Sequence, residues 1–220
     1  MELLKEKENG NGSAVIDKLM ADSILTKKYQ HLTEGQKIKL IEEKFRDIML
    51  ILGLDMEDDS LKDTPQRVAK MYVKEIFSGL DPANAPEITR FKNDFNYNEI
   101  LIERNIPVYS YCEHHFVPII GKAHVGYISH HEVIGLSKLN RIVHYFSKRP
   151  QVQERLTIQI AAYMKKEMGI EDVAVIINAE HLCVASRGIR DTGSTTVTSS
   201  FHGQFLQPEK RKEFMSLLNL

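Results

Sequence analysis

This 220-residue sequence has only two cysteines and almost no net charge, with a formal value of -1. Two cysteines are too few for the disulfide framework of a small secreted protein, so we expect a reducing, cytoplasmic location. Because 29 basic residues balance 30 acidic ones, we expect no broad electrostatic surface for nucleic acid, although a local basic pocket remains compatible with this balance.

Long apolar segments are also missing. No hydrophobic run approaches the roughly 18 residues needed to span a bilayer, and residues 1–12 are charged and glycine-rich, unlike a secretory signal. Hydrophobic residues nevertheless make up 42% of the chain and charged residues 27%, which is typical of a globular protein with a sizeable core. The composition therefore argues against collagen-like, disordered and membrane-spanning classes, and we expect no membrane partner.

The first third of the chain has helical patterning. Thr33 and Gln36 match a capping box, in which each side chain satisfies a free backbone N–H of the other residue. Apolar residues then recur at helical spacing. A second helix is predicted from Thr64-Pro65, because proline suits the first helical position, and Gly79 is a plausible end for it.

The pattern changes to mixed strands and helices after residue 95. Short runs rich in β-branched and aromatic residues predict strands at 98–109, 116–128, 173–177 and 195–205. Helices are predicted after a Ser137 cap, from Gln151 to Gly169, and at 208–218. Without strict strand–helix–strand alternation, this order favours an α+β fold with a largely antiparallel sheet. The predicted parts are a flexible tail with the start of a helical arm (1–30), the arm (31–95) and a domain of mixed strands and helices (96–220).

Cys112 and His115 have the C-x-x-H spacing of two ligands to one metal ion. Cys183 is the other cysteine, and thiolate and imidazole are donors that Zn²⁺ prefers. Three protein ligands would leave a fourth position for an activated water, as in catalytic zinc sites. Two alternatives stay open at this point: ordinary buried cysteines, or a disulfide between them, which a reducing location disfavours.

Two histidines adjoin these candidate ligands. His114 lies beside His115, and His181 lies two residues before Cys183. Histidine beside an activated water can transfer protons near neutral pH. The alternative is that each ring only orients a metal ligand.

Basic side chains near these segments form a candidate anion site. Lys138 and Arg141 share a helix face, Ser137 stands at a helix start where backbone N–H groups favour anions, and Arg187 follows Cys183 closely. The arm adds two more basic residues, Arg67 and Lys70. Together they could hold a polyphosphate, although each one singly has the ordinary alternative of a solvated surface charge.

A glutamine and a glutamate start the segment after Val152. The Glu154 carboxylate can accept two N–H bonds from one edge of guanine, and Gln153 offers an adaptable amide. The alternative is a helix-surface ion pair of Glu154 with a nearby lysine or arginine.

Together, these segments closely resemble the zinc-dependent GTP cyclohydrolase I family. The resemblance covers roughly residues 35–218 and keeps the family's order of motifs. It is carried by Cys112–His115, Gly135–Val143, Ser147–Thr157, and His181–Cys183 with Arg187-Gly188, and by 63–72 in the arm. It implies the tunnelling fold, an antiparallel sheet with helices packed on one side, preceded by a helical arm. It also implies a homo-oligomer, a decamer of two pentamers.

The activity implied by the resemblance is hydrolysis of GTP at C8, with release of formate and formation of 7,8-dihydroneopterin triphosphate. The implied roles are zinc binding by Cys112, His115 and Cys183; proton transfer by His114 and His181; guanine binding by Glu154 with Gln153; ribose or phosphate binding by Ser137; triphosphate binding by Lys138, Arg141 and Arg187; and contact with a neighbouring subunit's site by Arg67 and Lys70.

Two other functions compete with this interpretation. A related tunnelling-fold nitrile reductase would need a nucleophilic cysteine and NADPH, and three zinc ligands argue against it. A non-catalytic protein would use zinc or the two cysteines only to stabilise an oligomer.

Overall fold

The computed structural model of the protein describes residues 26–129 and 131–219. The predicted tail over residues 1–30 therefore lies almost wholly outside the described residues. Within the described part of the chain, no helix combines the length and the apolar character needed to cross a membrane.

Two helices form the predicted arm. Helix α1 (Glu34–Ile51) begins with the predicted capping box, since the Gln36 amide N–H donates to Thr33 Oγ1 and the Thr33 N–H donates to Gln36 Oε1. Helix α2 (Thr64–Met71) has Pro65 in its first turn, as predicted, and continues into one π-helical stretch, Tyr72–Ile76. Short 3-10 turns follow at Ser78–Leu80 and Pro82–Asn84.

Two β-sheets follow the arm. Strands β1 (Arg90–Lys92) and β4 (Glu132–Ile134) form an antiparallel pair. The strands of the larger sheet are β2 (Leu101–Cys112), β3 (Pro118–Tyr127), β5 (Pro150–Gln151), β6 (Val173–His181) and β7 (Thr196–Phe201). They lie in the order β5-β2-β3-β6-β7, and all neighbouring pairs are antiparallel except the short β5–β2 pair. The expected α+β class with a largely antiparallel sheet is confirmed, while the division at residue 95 stays a prediction.

Two long helices, α3 (Leu136–Ser147) and α4 (Gln153–Met168), pack on one face of the larger sheet. Two predicted starts were wrong. Gly135, not Ser137, is the N-cap of α3, because Ser137 already has a place in the first helical turn. Gln151 pairs with Cys112 in β5, so α4 begins two residues later than predicted. The predicted end at Gly169 is confirmed, where a left-handed conformation (φ 64°) suits glycine.

The core lies on both faces of strand β6. Val173, Val175 and Ile177 pack under α3 and α4, while Ala174 and Ile176 pack in a second cluster with Phe205 and Phe214. Successive strand residues point to opposite faces, so the continuous apolar run fits a strand that is covered on both sides. The one-turn helix α5 (Leu182–Ala185) lies between β6 and β7. The predicted C-terminal helix, α6 (Pro208–Leu218), covers the face of β6 that is turned away from α3 and α4.

Gly79 fixes the arm against the end of α3. Its N–H donates to the Lys148 carbonyl oxygen at 2.9 Å. A Cβ at this position would lie 2.1 Å from the Tyr145 carbonyl oxygen and 2.8 Å from that of Lys148. Only glycine permits this close backbone approach.

We expect the substitution Gly79→Ala to lower the free energy of unfolding by about 1–3 kcal/mol, because the added methyl group overlaps backbone atoms that cannot rotate away. Chemical denaturation of the full-length protein measures this change. Gly35→Ala in α1 is the matched control, since a Cβ there meets nothing within 4 Å. Equal stability of Gly79→Ala and the unsubstituted protein would contradict the expectation.

Candidate active site

The strand register brings the predicted metal ligands to one end of the sheet. Cys112 is the last residue of β2, and His115 lies in the turn that connects β2 to β3. Ile119 of β3 pairs with His181, the last residue of β6, and Cys183 follows in α5. Residues separated by about seventy positions therefore meet because β3 and β6 are antiparallel neighbours.

The side chains of Cys112, His115 and Cys183 form a group that could hold a metal ion. Their donor atoms all lie within 4.8 Å of one another, and Cys112 Sγ is 3.9 Å from His115 Nδ1. Both cysteines are free, so the alternative of a disulfide is wrong for this structure. Donors at 2.0–2.3 Å from a tetrahedral ion lie roughly 3.5 Å apart, so the donor set and its spacing fit zinc.

The two thiols influence each other. Burial and the neighbouring Cys112 raise the pKa of the Cys183 thiol, while the positive charge of Arg187 opposes that rise. A metal cation would favour both thiolates and so compensate for their proximity.

An ion pair holds the loop that carries His115. The Arg155 guanidinium bonds the Glu113 carboxylate, and it also donates to the Pro150 carbonyl oxygen at 2.9 Å and to Gln151 Oε1 at 2.9 Å. The loop is thereby tied to β5 and α4. The sequence reasoning missed this role of Glu113 and Arg155; the four-residue spacing of Gln151 and Arg155 on one side of a turn was the available signal.

Of the two predicted proton-transfer histidines, His114 contacts the candidate ligand Cys112, and His181 is the last residue of β6, two residues before Cys183. His114 is exposed, with Nδ1 at 3.6 Å from Cys112 Sγ. His181 is half-buried, and Nε2 is 2.8 Å from Gln153 Oε1. Burial lowers the pKa of His181, and the charge of nearby Glu154 acts in the opposite direction.

Glu154 and Gln153 differ sharply in exposure. Glu154 lies exposed in the first turn of α4, where a carboxylate also interacts favourably with the helix dipole. Gln153 is 1% exposed, and its side chain is directed into the protein. Only Glu154 of the pair therefore presents its side chain to a ligand in solution.

Among the predicted anion-binding residues, Arg187 lies at the metal group. Its Nη1 is 3.2 Å from His115 Nε2 and 3.5 Å from the Cys183 carbonyl oxygen. A guanidinium here can attract an anionic ligand toward the metal group.

Lys138 and Arg141 line a different cavity, of about 700 Å³, between the arm and α3. The cavity also contains His144, Lys148 and Lys74, with Glu34 and Glu87 as its acidic residues. It is therefore a largely basic cavity, but none of the three candidate metal ligands lines it.

Two contacts with β2 show how helix α3 lies relative to Cys112. Near its start Asn140 bonds Glu103, and after its end the Arg149 carbonyl oxygen accepts from Ser110. At about 3.3 Å per strand residue, the nine steps from Glu103 to Cys112 span roughly 30 Å. The start of α3, with the exposed Ser137, thus lies at the opposite end of the sheet from Cys112.

The two arm residues are exposed and bonded within their own helix. Arg67 pairs with Asp63 at 3.4 Å, and Lys70 donates to Gln66 at 3.0 Å. Both side chains can rearrange toward another molecule at small cost, since exposed ion pairs contribute little stability.

Comparison with known proteins matches residues 41–219 to the family model described as GTP cyclohydrolase I. The chain belongs to the GTP cyclohydrolase I family. A protein of Flavobacterium johnsoniae named GTP cyclohydrolase 1 is 56% identical over 189 residues, which cover 86% of this chain and 85% of that protein.

Two further relatives carry the same name, GTP cyclohydrolase 1. That of Aeromonas hydrophila is 50% identical over 90% of this chain and 92% of its own length. That of Mannheimia succiniciproducens is 52% identical over 81% of this chain and 83% of its own length. The family membership thus extends over the arm and the sheet alike.

We expect Cys183→Ala to lose the bound metal, because two remaining protein ligands hold an ion poorly. Elemental analysis of the full-length variant after dialysis measures the metal content per chain. Val184→Ala, in the same short helix with an exposed side chain, is the matched control and should retain its metal. Retention of one ion per chain by Cys183→Ala would contradict the assignment.

Proposed function

We propose that this protein is a zinc-dependent hydrolase that opens the imidazole ring of GTP at C8, releases formate and forms 7,8-dihydroneopterin triphosphate. One observation carries the proposal: in a member of the GTP cyclohydrolase I family, the donor atoms of Cys112, His115 and Cys183 lie together, and His181, which is close enough to Glu154 to respond to its charge, precedes Cys183 by two residues. The donor group, a proton-transferring histidine and a carboxylate that can bind guanine occupy one end of the sheet.

Cys112, His115 and Cys183 would hold the zinc. With three protein ligands, Zn²⁺ supplies an open position at which water becomes a nucleophile near neutral pH. This ligand set uses both cysteines of the chain, so no thiol is left for the nucleophilic chemistry of a nitrile reductase.

His181 would act on the guanine ring. C8 of guanine is a poor electrophile until N7 gains a proton, and a protonated histidine ring can deliver that proton. His114, exposed on the other side of Cys112, would carry protons during the later hydrolysis that releases formate.

Glu154 would select guanine. Its exposed carboxylate can accept two bonds from the N1–H and the 2-amino group of the base. Because Glu154 also lies close to His181, binding the guanine edge would bring the imidazole portion of the base toward the proton donor.

Substrate binding further supports assembly of the site from several copies of the chain. Ser137, Lys138 and Arg141, which would bind the ribose and triphosphate, lie on α3 toward the other end of the sheet from Cys112, and the cavity lined by Lys138 and Arg141 contains none of the candidate metal ligands. A neighbouring copy would supply the second group, and Arg67 and Lys70 would reach across in the same way.

Two surfaces favour such an assembly. Among the described residues, β7 ends the larger sheet with one unpaired edge, a ready site for strand pairing. Around the end of α1, Ile51 is 84% exposed and Leu52 is 71% exposed, which is unusual for a surface that meets only water. We propose a homo-oligomer, a decamer of two pentamers.

Incubation of the zinc-loaded protein with GTP tests the function. We expect equal amounts of formate and of a pterin that fluoresces after oxidation, because one ring opening yields one of each. The control is His181→Ala, which should assemble and bind zinc but lose most turnover. Absence of both products from assembled, zinc-loaded protein would contradict the proposal.

Mixed oligomers test the sharing of sites. Lys138→Ala and His181→Ala should each be inactive alone, and co-assembly should restore part of the activity, because some sites then combine an intact Lys138 with an intact His181. Unmixed samples combined without reassembly are the control. If co-assembled chains recover nothing, each site is built within one chain.

A further inference from the structure

Both polar atoms of the Gln153 side-chain amide are bonded within the protein. Its nitrogen donates to the Ile177 carbonyl oxygen at 3.0 Å, the Thr196 carbonyl oxygen at 2.9 Å and Thr198 Oγ1 at 3.2 Å. Its oxygen lies 2.8 Å from His181 Nε2. Gln153 thus joins α4, β6 and β7 at a position that water scarcely reaches.

Only one orientation of this amide satisfies its surroundings. The two carbonyl oxygens of Ile177 and Thr196 can only accept, so the amide nitrogen must face them and the amide oxygen must face His181. The reverse orientation would direct three oxygen atoms at one another in a buried place, at the cost of unsatisfied polar groups.

The neighbouring hydroxyl groups agree with this orientation. Thr157 Oγ1 donates to the Gln153 backbone carbonyl oxygen at 2.8 Å. Its proton is then used, so in the 2.6 Å contact between the two hydroxyls Thr198 must donate to Thr157. Thr198 Oγ1 consequently accepts from the Gln153 amide nitrogen, whose two hydrogens are shared among Thr198 Oγ1 and the carbonyl oxygens of Ile177 and Thr196.

The orientation of the amide fixes the protonation of His181. An amide oxygen can only accept, so His181 Nε2 must carry a hydrogen and donate it. The neutral ring is therefore the Nε2–H tautomer, and Nδ1 is the nitrogen with a free lone pair.

We propose that Gln153 is a positioning residue that holds His181 as the Nε2–H tautomer, so that Nδ1 exchanges the proton with the substrate. The proposal rests on the function proposed above and replaces the predicted contact of Gln153 with guanine. In the charged ring, the Nδ1–H bond breaks as N7 of guanine takes the proton, its electrons stay on Nδ1, and the Nε2–H bond to Gln153 is kept throughout.

Steady-state kinetics of Gln153→Met test this role. Methionine has a volume similar to that of glutamine, but its side chain can neither accept a hydrogen bond from His181 as the amide oxygen does nor donate to the carbonyl oxygens of β6 and β7. We expect kcat for GTP to fall about 10–100-fold, as for loss of a residue that orients a functional histidine, with KM changed less than threefold. Gln204→Met removes a side-chain bond to Asp172 away from the site and is the matched control, with kcat unchanged.

Inosine triphosphate, which lacks the 2-amino group, separates positioning from base recognition. Gln153→Met should keep the wild-type ratio of kcat/KM for GTP over inosine triphosphate, whereas Glu154→Gln should reduce that ratio. If Gln153→Met reduces it as much, Gln153 binds the base and the proposal is overturned. If the unsubstituted enzyme turns over GTP while Gln153→Met behaves as a base-binding variant, the proposed role of Gln153 is wrong and the proposed function of the protein still stands.

A double-mutant comparison excludes a merely structural effect. In the His181→Ala background, Gln153→Met should cause no further loss of residual kcat, because the ring that it positions is already gone. An additional loss as large as in the unsubstituted enzyme would overturn the proposal.

The tautomer can be observed without turnover. In the full-length protein labelled with ¹⁵N-histidine, the His181 signals, assigned by their absence from His181→Ala, should show a protonated Nε2 and an unprotonated Nδ1 when the ring is neutral. Observation of the Nδ1–H tautomer would overturn the proposal even if Gln153→Met fails to fold.

Discussion

The antiparallel pairing of β3 with β6 is the constraint on which the site depends. This pairing places Ile119 opposite His181 and so brings Cys183 to the loop that carries His115. The apolar residues of β6 are covered on both faces, so a one-residue shift in its register would disrupt the packing of both hydrophobic clusters. Core packing therefore maintains the donor geometry at the strand ends.

A second layer of bonds comes from the start of α4. Gln153 fixes His181, and Arg155 fixes Glu113 in the loop before His115. Glu154, between them, remains exposed. Of these three successive residues, Gln153 and Arg155 bond groups of the protein and Glu154 exposes its carboxylate, so the side chains on either side of the proposed base-binding residue are held in place.

The geometry of one chain also explains why assembly belongs to the proposed mechanism. The proposed triphosphate-binding residues on α3 and the donor group at Cys112 lie at opposite ends of the same sheet. Exposed apolar residues around the end of α1 and an unpaired strand edge provide surfaces that a neighbouring copy can cover. Catalysis and subunit association would then depend on the same contacts.

The sequence by itself determined the order and type of most elements, because periodicity, Pro65 and the Thr33–Gln36 box act locally. It also identified the C-x-x-H pair and the family resemblance. The starts of α3 and α4 were misplaced, since pairing of Gln151 with β2 is a tertiary event that overrides a helical pattern. The sequence named Cys183 as the third candidate ligand, but only the tertiary structure placed it beside the other two and showed that Gln153 faces inward. Strand register and buried bonding connect residues far apart in the chain, and no local pattern records them.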